Sequence, residues 1–182
     1  MTKAFLIVGN TGAGKSTYSA QLAERHNGIV FSVDEWMKTL FFMDMPDPPL
    51  YSWALERTQR CETQQLNESL KILGKGISVI LDIGFFARSQ RERVQDFFKD
   101  HGVSFETHFL DVDKATRWDR VDHRNQAQTE TFQFEVSREI FEFCETIFEP
   151  LGDDERAKAV VVSEFLGKIR NYQITENANN TE

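Results

Sequence analysis

Residues 4–17 read AFLIVGNTGAGKST, an apolar pentapeptide that runs directly into a glycine-rich loop ending in lysine, serine and threonine. The run from Ala4 to Val8 is short and wholly apolar, which is typical of a strand buried on both faces. The segment from Gly9 to Ser16 matches the spacing G-x-x-x-x-G-K-S, and residues of helical periodicity follow it. The stretch therefore predicts a strand, a phosphate-binding loop and a helix in immediate succession.

The composition of this loop fits the binding of a nucleoside triphosphate. Glycines let backbone N–H groups turn inward around an anion, and the helix that follows adds the positive end of its dipole. Lys15 supplies a cation for the β- and γ-phosphates, and Ser16 offers a hydroxyl ligand to Mg²⁺. A chance glycine-rich turn is the alternative, which the flanking strand and helix disfavour. The predicted nucleotide contacts in the loop are Gly9, Asn10, Thr11, Gly12, Ala13, Gly14, Lys15, Ser16 and Thr17.

The rest of the chain alternates between strand and helix patterns. Short apolar runs predict further strands over 29–31, 77–81, 105–112 and 159–162. Apolar residues at helical spacing predict helices over 35–42, 53–73, 89–101, 114–125 and 136–148. This alternation predicts an α/β fold with a parallel sheet and right-handed crossovers, in which ligands bind beyond the carboxyl ends of the strands.

Composition narrows the possible classes of protein. The chain has 182 residues and a net charge of −8, which disfavours nucleic acid as a partner. We expect one domain over 1–172 and a disordered polar tail over 173–182. No run of residues is apolar enough to span a membrane, and the first strand stands where a signal peptide would be. With two widely spaced cysteines, these features predict a cytoplasmic protein with reduced thiols.

Asp34 follows the second predicted strand, in the sequence FSVDEW over 31–36. A carboxylate at this position would face the γ-phosphate and accept a proton from an acceptor hydroxyl. Aspartate is also favoured as the N-cap of a helix, and a helix is predicted to begin near Glu35. Both interpretations stay open, because a capping residue can also be catalytic.

Asp82 ends the third predicted strand, where an apolar run closes on an acid. This is the Walker-B pattern, in which the carboxylate holds Mg²⁺ directly or through water. The alternative is a polar residue that merely ends a buried strand. The loop in the same chain favours a position near the metal, so Ser16 and Asp82 are the predicted metal ligands. Asp111 ends the fourth strand similarly and is the weaker candidate.

Three arginines occupy one side of the helix predicted over 114–125. Arg117, Arg120 and Arg124 follow at i, i+3 and i+7, so their like charges repel each other. A bound anion would relieve that repulsion, and such arginines can stabilise a phosphoryl group in transfer. A solvated face is the alternative, with Asp113 offsetting Arg117. We favour the anion, with Arg117 and Arg120 as nucleotide contacts and Arg120 and Arg124 as catalytic residues.

In these features the chain resembles the P-loop kinases of the zeta-toxin and polynucleotide-kinase-like group, which includes small-molecule kinases such as chloramphenicol phosphotransferase. The resemblance implies an ATP-dependent kinase with strand order 2-3-1-4-5 and a mobile helical lid at about 114–135. It implies that Lys15 and Ser16 contact nucleotide and metal, that Asp34 is the base and Asp82 a second active-site acid, and that Arg120 or Arg124 contacts ATP. The resemblance rests on residues 9–17, Asp34, 79–82, 88–93, 110–112, Arg120, Arg124 and 148–150.

One departure from this group concerns the acceptor. Polynucleotide 5′-kinases have an arginine three residues after the base, whereas this chain has Met37. Five nearby aromatic residues suggest an apolar acceptor pocket instead, although they can equally belong to the core. They are Trp36, Phe41, Phe42, Phe85 and Phe86.

The sequence thus predicts phosphoryl transfer from Mg·ATP to a hydroxyl group of a small molecule. One alternative is an ATP-binding switch protein that hydrolyses slowly, with water as its only acceptor. The other is a nucleic-acid 5′-hydroxyl kinase, which the net charge and Met37 both disfavour.

Overall fold

The computed structural model describes residues 2–127 and 134–163. The tail predicted over 173–182 and residues 128–133 of the lid predicted over 114–135 lie outside the described residues.

Five parallel strands form one sheet. They are β1 (Ala4–Val8), β2 (Gly28–Ser32), β3 (Ser78–Asp82), β4 (Phe105–Leu110) and β5 (Val160–Val162). Their order is β2-β3-β1-β4-β5, which confirms the predicted topology. In the register, Ser32 stands opposite Asp82, so the carboxyl ends of β2 and β3 are level. The residues that follow these strands therefore meet at one edge of the sheet.

Seven α-helices of four residues or more lie within the described ranges. They are α1 (Lys15–His26), α2 (Val33–Leu40), α3 (Tyr51–Leu73), α4 (Arg88–Asp100), α5 (Lys114–Ala127), α6 (Arg138–Ile147) and α7 (Asp153–Arg156). The last was not predicted. No helix of the described part of the chain is long and apolar enough to cross a membrane.

The helices cover the sheet from both sides, because alternate residues of each buried strand face opposite ways. Phe5 and Ile7 pack with Tyr18 and Leu22 of α1 on one face. The even-numbered residues of β1 pack on the other face with Leu66 of α3 and with α4. These three layers leave the carboxyl edge of the sheet open for a site.

Helix α2 begins earlier than predicted. It starts at Val33, and the hydroxyl of Ser32 accepts a hydrogen bond from the backbone N–H of Glu35 at 3.3 Å. Ser32 is therefore the N-cap, and the interpretation of Asp34 as the capping residue is wrong. Serine and aspartate have similar capping preference, so either residue type can begin a helix, and the sequence analysis considered only Asp34.

Candidate functional site

A cavity of about 890 Å³ opens at the carboxyl edge of the sheet. Its lining brings together parts of the loop before α1, the ends of β2 and β3, and side chains from α2 to α6. This size is within the range of small-molecule sites. The predicted site residues that line it are Thr11, Gly12, Gly14, Lys15, Ser16, Thr17, Asp34, Asp82, Arg120 and Arg124.

The other predicted contacts in the loop lie on its buried side, away from the cavity. Gly9, Asn10 and Ala13 are buried and do not line the cavity. Gly12 and Gly14 have φ values of 81° and 93°, which favour glycine. A Cβ atom on Gly12 would stand 2.4 Å from the carbonyl oxygen of Arg117. Glycine at this position thus permits the close approach of α5 to the loop.

Ser16 and Asp82 are in direct contact at the floor of the cavity. The Ser16 hydroxyl donates to Oδ2 of Asp82 at 2.9 Å. The pKa of Asp82 is raised to about 6. Desolvation by burial is the main cause, and the charge of Asp34 also raises this pKa, whereas Lys15 and the Ser16 hydrogen bond lower it. One hydroxyl and one carboxylate match the oxygen ligands that Mg²⁺ takes from protein beside phosphate oxygens and waters. The two side chains fit the predicted metal position.

The pKa of Asp82 predicts a pH-dependent stability for the nucleotide-free protein in EDTA. Because the folded-state pKa is raised above its ordinary value of 3.8, the stability that this group contributes falls as pH rises from about 4 to about 6. The full loss is roughly 3 kcal/mol. Asp82→Asn should therefore raise the melting temperature at pH 7.5 by roughly 6 to 12 °C and have little effect at pH 4. Thermal unfolding at both pH values measures this difference.

Asp111→Asn is the matched control for this prediction. Asp111 directly follows β4 but is exposed, and its carboxylate pairs with Arg156 at 2.8 Å. Removing its charge should give no gain in stability at pH 7.5. If Asp82→Asn destabilises the protein equally at both pH values, its carboxylate carries no desolvation penalty.

Asp34 lies in the first turn of α2 with its side chain open to the cavity. The surrounding protein atoms nevertheless remove water from its carboxyl group, and this desolvation raises the pKa of Asp34. The charges of Lys15 and Arg124 lower that pKa. The carboxylate thus stands between the loop lysine and an arginine of α5. Access from the cavity and a raised pKa are properties of a general base.

Two of the three predicted arginines face this cavity. Arg120 donates through an Nη atom to the carbonyl oxygen of Ala13 at 3.1 Å, which places it over the loop. Arg124 is half-buried, and its Nε atom is buried with no hydrogen-bond partner in ranges 2–127 and 134–163. Burial lowers the pKa of Arg124, and the charge of Asp34 opposes this. An unsatisfied buried donor is costly, so Arg124 is suited to an anion that enters the cavity.

Arg117 has protein partners instead. Its guanidinium makes two bonds to the carboxylate of Glu145, at 2.7 and 2.9 Å, and one to the carbonyl oxygen of Thr11 at 3.1 Å. The Asn10 side chain also donates to Glu145. Asp113, which would offset Arg117 in the alternative of a solvated face, instead accepts from the backbone N–H of Thr116. This geometry favours Arg117 as a brace between the loop, α5 and α6, rather than as a nucleotide contact.

The predicted apolar acceptor pocket is mostly core. Phe85 is fully buried, and Trp36, Phe41 and Phe42 pack against the main core. Of the five aromatic residues only Phe86 lines the cavity. Met37, which replaces the arginine of polynucleotide 5′-kinases, is buried in the cavity wall.

A polar part of the lining was missed by the sequence analysis. On α3 the side chains of Thr58, Gln59 and Glu62 face the cavity, and on α4 those of Ser89, Gln90 and Arg93 do so. A signal was available, because Leu55, Thr58, Gln59 and Glu62 follow at i, i+3, i+4 and i+7. We refer to the six polar residues of α3 and α4 together as the polar wall: Thr58, Gln59, Glu62, Ser89, Gln90 and Arg93.

One protein family matches this chain. A model of the AAA domain family matches residues 5–151, which covers most of the chain. No curated protein matches the chain. The family match does not distinguish the narrower zeta-toxin and polynucleotide-kinase-like group.

Solved structures share the fold at low sequence identity. Kti12 of Chaetomium thermophilum, in complex with ADP-AlF3, is 12% identical with a TM-score of 0.67 and coverage of 88% of both chains. A putative kinase from Chloroflexus aurantiacus is 20% identical, with a TM-score of 0.64 and coverage of 88% of this chain and 85% of that chain. A sugar kinase from Janibacter is 15% identical, with a TM-score of 0.60 and coverage of 89% and 85%. At these identities the likeness shows the fold alone.

Proposed function

We propose an ATP-dependent phosphotransferase activity for this chain, which belongs to the AAA domain family. The reaction moves the γ-phosphate of ATP to a hydroxyl group of a small molecule. One observation carries the proposal: a single cavity is lined by Lys15 and Ser16 of the loop, by the acids Asp34 and Asp82, and by Arg120 and Arg124. Within the family, the order of these residues supports the zeta-toxin and polynucleotide-kinase-like group.

The phosphate side of the cavity would hold Mg·ATP. The loop amides and the start of α1 bind the phosphates, and Lys15 adds a positive charge. Ser16 and Asp82 would hold Mg²⁺, which when bound would neutralise charge on the β- and γ-phosphates. Arg120 and Arg124 approach from α5 and stabilise the negative charge of the phosphoryl group as it transfers.

Asp34 would act on the acceptor. Its carboxylate accepts the proton of the acceptor hydroxyl as the oxygen forms its bond to the γ-phosphorus. The bond between that phosphorus and the β–γ bridging oxygen breaks, and ADP leaves with the electron pair. Burial raises the pKa of Asp34, whereas the charges of Lys15 and Arg124 lower it. The two cations thereby favour the ionised form of Asp34, which the step requires.

ADP formation with and without an acceptor library tests this function. The purified protein with Mg·ATP should form ADP slowly alone and at least tenfold faster when a mixture of alcohols, sugars and nucleosides contains the acceptor. Labelled phosphate should then appear in a new ester. Slow hydrolysis that no alcohol accelerates would instead identify the switch protein. Transfer to an oligonucleotide would identify the 5′-hydroxyl kinase.

A further inference from the structure

The polar wall carries a buried acid, Glu62, whose two hydrogen-bond partners in the described part of the chain also belong to the wall. The side chain of Glu62 is 5% exposed, and its Oε2 atom accepts from the amide of Gln90 at 2.6 Å. Its Oε1 atom accepts from an Nη atom of Arg93. A carboxylate has about four acceptor positions, so two more hydrogen bonds can be added to Glu62.

Charge is distributed unequally across the cavity. On the phosphate side, the three cations Lys15, Arg120 and Arg124 outnumber the two acids Asp82 and Asp119. On the side of α2, α3 and α4, the charged groups in the lining are Asp34, Glu62 and Arg93. Arg93 is already paired with Glu62, so the lining from α3 and α4 has no net charge, and Asp34 of α2 adds a carboxylate that lies between this lining and the cations of the phosphate side. An acceptor with its own phosphate or carboxylate would meet the carboxylate of Asp34 and, among the described residues of α2, α3 and α4, no unpaired cation in the lining.

The uncharged groups of the wall are suited to hydroxyl groups. The amides of Gln59 and Gln90 and the hydroxyl of Ser89 can each donate and accept, whereas the Thr58 hydroxyl already donates to the carbonyl oxygen of Ala54 at 2.8 Å and can only accept. Each hydroxyl of a ligand also donates one hydrogen bond and accepts others, so several can be satisfied together. Met37 and Phe86 add apolar surface to the same cavity, against which the C–H groups of such a ligand can pack.

From this arrangement we infer that the acceptor is a neutral polyhydroxylated small molecule, a sugar or polyol, whose hydroxyl groups bind Glu62 and the wall amides. The inference rests on the phosphotransferase function proposed above. One hydroxyl lies at Asp34 and receives the phosphoryl group, while the others fix the orientation of the ligand at the polar wall.

A matched panel of six-carbon compounds tests the charge and hydroxyl requirements. Glucose and glucitol represent neutral polyols, gluconate and glucose 6-phosphate carry one added anionic group, and cyclohexanol has a single hydroxyl. ADP formation from Mg·ATP should rise at least tenfold with a neutral polyol and at least ten times more than with the anions or cyclohexanol. Equal or greater stimulation by an anion or by cyclohexanol would overturn the inference.

Calorimetry with Mg·ATP separates the two levels of failure. If Mg·ATP binds but no neutral polyol stimulates ADP formation, the acceptor class is wrong while nucleotide binding stands. If Mg·ATP does not bind, the proposed function fails, and the inference fails with it.

Glu62→Gln tests the wall itself. This change keeps the size of the side chain but removes its charge, so the KM for the polyol should rise roughly 10- to 100-fold while the KM for ATP changes much less. Glu68→Gln is the matched control, because Glu68 lies on the same helix and pairs instead with Lys71 outside the cavity. The control should leave both KM values unchanged. A lower melting temperature for Glu62→Gln with an unchanged polyol KM would mean that Glu62 is only structural.

Discussion

Lys15→Ala is expected to reduce turnover of ATP by roughly two to three orders of magnitude and to weaken Mg·ATP binding. Lys15 is the loop's only cation, and its charge lowers the pKa of both Asp34 and Asp82. Without it, two acids with raised pKa values would face a triphosphate with no loop cation between them. The loss should therefore exceed that of a single hydrogen bond.

Titration calorimetry and thermal shift with Mg·ATP measure this effect independently of any acceptor. Wild-type protein should be stabilised by saturating Mg·ATP, and the variant should not. Lys75→Ala is the control, because Lys75 is exposed beyond the end of α3 and does not line the cavity. If Lys15→Ala kept wild-type affinity and turnover, the loop would not be the phosphate site.

The sequence predicted those features that local spacing determines. Residues 4–17 were sufficient for the strand, the loop and α1, because the glycines, Lys15 and Ser16 are adjacent in the chain. The sheet order followed from the resemblance and is confirmed. The contact between Ser16 and Asp82 was predictable in the same way, since parallel strands bring their carboxyl ends to one edge.

Other features depend on packing between distant elements, which local spacing does not contain. Arg117 and Arg120 are three residues apart on one helical face, yet Arg117 is bound by Glu145, which is 28 residues away on α6. Glu62 and Arg93 were likewise read as parts of two separate helices, although they pair across the cavity lining. Adjacent aromatic residues also differ, since one of the pair at 85–86 is fully buried and the other lines the cavity. Sequence patterns give the face of a helix but not the partner that the face meets.

Asp34→Asn should bind Mg·ATP at least as tightly as the wild type and lower phosphoryl transfer by roughly 10²- to 10⁴-fold. The amide cannot accept the proton of the acceptor hydroxyl, whereas the loop, Ser16 and Asp82 are unchanged. Removal of one negative charge beside Lys15 and Arg124 makes the phosphate side more positive, so affinity for the triphosphate should not fall. Calorimetry and acceptor-dependent ADP formation measure the two effects separately.

The structure offers a control that separates catalysis from helix capping. Ser32→Ala removes the hydroxyl that caps α2 and should lower stability by about 1 kcal/mol, but it should leave transfer nearly intact. Asp34→Asn should have the opposite pattern, with little loss of stability and a large loss of transfer. Because burial raises the pKa of Asp34, the wild-type rate should also increase with pH as this carboxyl group ionises, and the variant should lose that increase. If both variants lost stability and kept transfer, Asp34 would be a structural residue of α2, and proton removal would require another group in the cavity.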